Sequence, residues 1–272
     1  MMNTELLMQL DSPTITNKYN LKIASFLLAI FFISSVHADV PIIIFPTVET
    51  EPVISPEDAA DDPAIWINNA DPKKSLIFGT DKKSGIYVYD LKGNQLSYSN
   101  LGKINNIDLR SVKGKLHIVT SNRTASTLDY WKFPTDGLFE YFQNLPLDSF
   151  TEDLDHAHLE AGMDIYGICM GLVGGNLRAI LTEEEGKTIQ YWDLKAREII
   201  GTIDITAEET NVPLFGNEAE GCVIDDENEH IIISREGMRG ILNAYDANTL
   251  EFIKVIDSRS VSYTHLTLPT KA

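Results

Sequence analysis

One stretch of the chain crowds carboxylates beyond what an ordinary turn needs. "EDAADDP" (57–63) puts three aspartates and one glutamate into six positions, then turns at once into the apolar "AIW" that ends in Trp66. "ETE" (49–51) adds two more carboxylates just upstream, and no lysine or arginine lies nearer than Lys73. A solvated turn is the plain alternative, because Asp and Pro favour turns and Asp62-Pro63 starts a strand well. Against it, the cluster abuts a core strand, so its charges cannot all point freely to water. Like charges held against a fold repel one another unless a cation sits among them. Hard oxygen donors at this density suit calcium. The EF-hand spacing, D-x-D-x-D-G with a terminal glutamate, is absent.

A second constellation is basic. "TDKKSG" (80–85) carries Lys82 and Lys83 before a glycine turn, and "SNR" (121–123) ends a strand with Arg123. Arginine captures phosphate bidentately and lysine acts as a point charge. Either segment alone reads as an ordinary hairpin. Beside calcium carboxylates they describe a site for an anion bound by metal and protein together. Competing phosphatase chemistries are missing: there is no R-H-G-x-R-x-P, and no C-x5-R loop, since Cys169 is followed by arginine only at Arg178. "HAHLE" (156–160) offers two imidazoles two residues apart. With no third histidine or cysteine ligand in view, a polar loop is the expected reading.

The elements that must position these residues read as strands, with hardly a helical period. "SLIFGT", "GIYVYDL", "KLHIVTS", "TLDYWKF", "NLRAILT", "TIQYWDL", "GCVIDD", "HIIISR" and "ILNAYDA" are short, β-branched or aromatic, and bounded by Gly, Asn, Asp or Lys. "YVYDL", "LDYWKF", "IQYWDL" and "LNAYDA" recur every few tens of residues, three of them with an aspartate directly after the aromatic. Repeats of that length in an all-β chain predict a β-propeller, with an open sandwich as the alternative. About four blades' worth of strands are present. Cys169 and Cys222 both sit in apolar stretches; a bridge and a pair of buried thiols are equally open readings.

The 272 residues carry 40 acidic against 22 basic side chains, a net charge of −18, which excludes nucleic acid as a partner. At 43% hydrophobic the chain can build a large core. Lys18 and Lys22 precede "IASFLLAIFFISSV" (23–36) and "VHA" (36–38). That is the pattern of a secretory signal peptide with cleavage after Ala38, preceded by an overlong leader, and it is short for a membrane span. Residues 1–38 are therefore expected to be an address, and the domain to work in a periplasm or outside the cell with no membrane contact after cleavage. "SVSYTHLTLPTKA" (260–272) breaks the strand pattern and resembles translated adapter sequence. The expected domain is thus a partial propeller over 39–259 with a foreign tail. A last blade with an exposed edge predicts poor solubility and little activity for this chain alone.

"DAADDPAIW" (58–66), "KKSGIYVYDLKG" (82–93), "NNIDLR" (105–110), "SNR" (121–123), "YGICM" (166–170) and "EAEGCVIDDE" (218–227) occur in an order and spacing that resembles the β-propeller phytases. The resemblance runs over roughly 47–258. It implies a six-bladed propeller, monomeric when full-length, that binds calcium ions. It further implies release of phosphate from phytate or calcium-phytate by metal-activated water at the acidic top of the channel. It assigns calcium to Glu49, Asp61, Tyr166, Glu220 and Glu236, with Asp62 as a neighbouring carboxylate that could instead cap its strand. Lys82, Lys83 and Arg123 become the phosphate-binding bases, and Lys82, Arg123, Tyr166 and Glu220 the catalytic set. Two departures stand out. Glu184 in "LTEEEGKT" occupies the place expected of another phosphate-binding lysine, and Arg235 that of a further glutamate. A non-catalytic, secreted calcium-binding propeller is the alternative to the enzyme.

Overall fold

The computed structural model describes residues 45–151, 154–205, 218–236 and 241–257, without the side chains of Glu218, Glu236 and Asp257. The leader and the tail from Ser260 lie outside the described residues. The chain divides into units 1–46 and 47–272, and the second carries every element described here.

Four four-stranded antiparallel sheets follow one another along the sequence. Blade 1 is β1 (Ala60–Trp66), β2 (Leu76–Asp81), β3 (Gly85–Asp90) and β4 (Gln95–Asn100). Blade 2 is β5 (Ile104–Val112), β6 (Lys115–Asn122), β7 (Thr127–Pro134) and β8 (Asp155–Glu160), with helix α1 (Leu138–Asn144) between the last two. Blade 3 is β9 (Ile165–Val173), β10 (Asn176–Glu183), β11 (Thr188–Asp193) and β12 (Glu198–Asp204). Blade 4 is β13 (Glu218–Asp225), β14 (His230–Glu236), β15 (Ile241–Asp246) and β16 (Phe252–Asp257). Each sheet pairs its strands in sequence order, and the first strands β1, β5, β9 and β13 touch one another in turn. These are the blades of a β-propeller, all-β as the sequence predicts, with its inner strands along a channel.

The recurring aromatic-aspartate element is the third strand of each blade. Its aromatics fill the cores between blades: Trp131 and Phe133 between blades 1 and 2, Trp192 between 2 and 3, Tyr191 and Tyr245 between 3 and 4. Its aspartate closes the following hairpin. Asp90 Oδ1 accepts from the Lys92 and Asn94 amides at 2.8 and 2.9 Å, Asp193 Oδ1 from Lys195 and Ala196 at 2.8 and 2.9 Å, and Asp246 Oδ1 from Asn248 and Thr249 at 2.8 and 2.9 Å. Blade 2 departs from this because α1 intervenes before its outer strand. That outer strand is "DHAHLE", which corrects the loop expected there: β8 pairs with β7 from Asp155 to Glu160.

Candidate active site

The inner strand of every blade breaks register at its N-terminal end. The irregular pairs are Asp61-Asp62 in β1, Asn105-Asn106 in β5, Tyr166-Gly167 in β9 and Glu220-Gly221 in β13. Such bulges re-aim side chains and leave a backbone amide without its ladder partner. A hydroxyl from the second strand supplies that partner in three blades: Thr80 Oγ1 accepts from Asp62 N at 2.9 Å, Ser121 Oγ from Asn106 N at 3.1 Å, and Thr182 Oγ1 from Gly167 N at 2.8 Å. The residue just past the second strand then reaches the same end. In blades 1, 2 and 3 it is Lys82, Arg123 and Glu184.

Neighbouring bulges touch. Thr80 Oγ1 donates to the Asn105 carbonyl at 2.7 Å, joining blades 1 and 2. Gly167 lies so close to the Glu220 carbonyl that a Cβ there would meet it at 2.0 Å, which brings Tyr166 beside Glu220 across blades 3 and 4. Lower on the same two strands, Cys169 and Cys222 form a disulfide, settling a pairing that the sequence leaves open.

At this mouth Lys82 Nζ pairs with Asp58 at 2.8 Å and with Asp61 at 3.4 Å. Burial works to lower the Lys82 ammonium, but Asp58 and Asp61 outweigh it and hold it above its ordinary range, so it stays charged. Burial raises the Asp61 carboxyl despite Lys82. The Arg123 guanidinium stands 5.3 Å from the centre of the Tyr166 ring, ion-paired to Glu184. Its Nη1 also reaches Asn105 Oδ1 at 3.5 Å. Burial, then the charges of Glu220 and Asp61, push the Tyr166 phenol up, so that it keeps its proton. Five sequence-predicted residues therefore converge: Asp61, Lys82, Arg123, Tyr166 and Glu220.

The others stand elsewhere. Lys83 sits at the rim, its Nζ donating to the Pro56 carbonyl at 2.6 Å with Glu57 at 3.6 Å. Asp62, the second residue of the β1 bulge, turns to blade 2 instead. Its Oδ2 accepts from Ile107 N at 3.0 Å, tying blade 1 to blade 2, and burial pushes it up to about 6. Asp108 repeats this tie to Met170 N at 2.8 Å. Glu49 is not gathered: it lies against the Gly93 turn, at the far end of blade 1 from Lys82. The Glu236 backbone pairs with Glu218, and its side chain lies outside the described residues. Asp58 joins the mouth although it is not among the predicted site residues, and Glu184 stands where the family resemblance expects a phosphate-binding lysine. Glu184 repeats the positions of Lys82 and Arg123 at the ends of the second strands.

The donor set at the mouth consists of hard oxygens, from Asp58, Asp61, Glu184, Glu220 and Tyr166, and this is the chemistry calcium takes. Among the described residues, no three carboxylate, imidazole or thiol groups form a ready-made cage. Ligands to such an ion would have to include substrate or water oxygens.

Comparison with known proteins identifies the family. The family model described as Phytase matches residues 16–267, taking in part of the expected leader and tail. The 3-phytase of Bacillus subtilis (strain 168) is 35% identical over 197 residues, covering 69% of this chain and 48% of that protein. The chain thus spans about half the length of that curated relative. Among solved structures, dihydro-heme d1 dehydrogenase NirN in complex with DHE aligns at a TM-score of 0.45 and 14% identity, over 70% of this chain and 36% of that one. By the extent of the family match, the chain belongs to the phytase family.

Proposed function

We propose that this chain is the catalytic portion of a calcium-dependent phytase, a phosphomonoester hydrolase of the 3-phytase type acting on phytate or its calcium complex. One observation carries the proposal: two cations, Lys82 and Arg123, and the oxygen donors Asp61, Tyr166 and Glu220 meet at one end of the inner strands. Arg123 offers a planar pair of N–H donors to phosphate oxygens, and the Tyr166 face orients its plane. Lys82 adds a point charge that Asp58 and Asp61 keep protonated. Both stabilise charge that grows on the phosphoryl oxygens. Asp61 and Glu220 would hold calcium, with Asp58 and the Tyr166 oxygen in support. When bound, calcium neutralises phosphate charge and lowers the pKa of a coordinated water. No phospho-enzyme is invoked, because a coordinated water of lowered pKa suffices as the nucleophile.

Calcium also answers a problem of field. A chain at −18 repels a polyphosphate, and the mouth itself is rich in carboxylates. The Cys169–Cys222 bridge supports an oxidising, secreted or periplasmic setting. The test is calcium-linked stability. Calcium should raise the melting temperature, and Asp61→Asn with Glu220→Gln should remove most of the rise. An equal rise in the double variant would overturn the assignment of the metal to this mouth. A second reading, a binding module without turnover, is favoured by the Arg123–Glu184 pair, which engages a phosphate-binding base. Tight phytate binding without phosphate release would select it.

A further inference from the structure

The "HAHLE" segment is unused by the chemistry above. Because it is a strand and not a loop, His156 and His158 point to one face of β8. Their ring centres are 5.1 Å apart. Each ring is tethered through the same nitrogen. His156 Nδ1 bonds the Leu154 carbonyl at 3.0 Å, and His158 Nδ1 bonds Asp129 Oδ1 at 2.7 Å. A carbonyl can only accept, so His156 carries its proton on Nδ1. The Asp129 carboxylate imposes the same tautomer on His158. Asp129 is fully buried and fixed in turn, since Thr127 Oγ1 donates to it at 2.6 Å and Asn122 Nδ2 at 2.8 Å. Both rings therefore turn an Nε2 lone pair outward, with no hydrogen bond to either Nε2 among the described residues.

This is the arrangement of metal-ligating histidines, in which the second ring nitrogen donates to a carbonyl or carboxylate. The spacing also fits. With metal–nitrogen bonds of about 2.0–2.1 Å, two imidazoles on one tetrahedral ion have ring centres roughly 5 Å apart. The His158 side chain is 49% exposed, so an ion can reach it. We propose that His156 and His158 form a surface site for a borderline divalent transition-metal ion of the zinc, copper or nickel class. Asp129 is the carboxylate that orients His158, and water fills the remaining positions. Imidazole nitrogen selects such ions over calcium, which prefers oxygen. The site lies on the outer strand of blade 2, separate from the channel mouth.

The experiment is zinc titration by calorimetry of the full chain in excess calcium, so that oxygen sites are already occupied. His156→Ala and His158→Ala are titrated in parallel, with imidazole nitrogen chemical shifts read on the wild type. The expected result is one zinc equivalent that each variant weakens by tenfold or more, and a zinc-induced shift confined to the Nε2 signals. Asp129→Asn should weaken the same equivalent by about 10–100-fold. A melting temperature within about 2 °C of wild type for His158→Ala shows that the loss is not unfolding. Zinc binding that both histidine variants leave unchanged, the lack of any such equivalent, or a shift at Nδ1 would each overturn the proposal.

Discussion

The disulfide gives the most quantitative expectation. Cys169 lies three residues after Tyr166 on β9, and Cys222 two residues after Glu220 on β13, so the bridge clamps the two strands that carry Tyr166 and Glu220 to the mouth. It joins positions 53 residues apart. In the chain-entropy model, closing a loop of that length withdraws about 4 kcal/mol of disorder from the unfolded ensemble. For a domain of this size 1 kcal/mol moves the melting temperature by roughly 2–4 °C, so the bridge is worth about 8–16 °C. The perturbation is the double substitution Cys169→Ser with Cys222→Ser, which keeps side-chain volume, compared with wild type before and after reduction. The assay is thermal melting, with phosphate release measured well below the transition. The serine pair and the reduced wild type should melt alike, both far below the oxidised protein. Catalytic efficiency should fall as well, because Tyr166 and Glu220 lose their shared restraint. Melting within about 2 °C of the oxidised protein would refute the clamp.

Further expectations follow from the mouth and from one buried histidine. Lys82→Ala and Arg123→Ala should each cost about 2–4 kcal/mol in transition-state stabilisation while leaving the fold intact; full kcat/KM in either would remove that residue from the site. Glu184→Gln frees Arg123 from its ion pair and should lower KM for phytate several-fold; a raised KM would show that Glu184 assists binding. His117 shares a 2.6 Å hydrogen bond with Tyr130, and burial, then Lys132 and Lys115, lower its pKa from 6.5 to about 4. The unfolded chain therefore takes up this proton first, so the stability contribution is complete above pH 6.5 and is lost as pH falls toward 4. His117→Gln should flatten the melting temperature over that interval, and an unchanged slope would show that other groups set it.

Much of the fold is legible in the sequence because each blade repeats one local problem. The third strand packs on two neighbours and then reverses, so it shows aromatics followed by an aspartate, as in "YVYDL" and "IQYWDL". Blade 2 hides its outer strand because α1 separates "LDYWKF" from "DHAHLE", and a polar outer strand resembles a loop. The acidic run and the paired bases were readable as one site because both flank the first hairpin. The two aspartates at 61 and 62 divide at the bulge of β1, one to the mouth and one to the neighbouring blade, and composition cannot make that division. Glu49 shows the opposite failure. It is close to Asp61 in sequence, but the intervening chain carries it to the other end of the blade. The disulfide depends on which strands meet across blades, which only the assembled fold decides.

We propose that oxygen donors and bases at one propeller mouth form a calcium-dependent phytate hydrolase. The most direct test is phosphate release from phytate by the longest chain the gene encodes, measured in calcium and in chelator, with Arg123→Ala beside wild type. The expected result is release in calcium that chelator abolishes, that restored calcium recovers, and that the variant largely lacks. Release that persists in chelator, or that Arg123→Ala leaves intact, would contradict the claim.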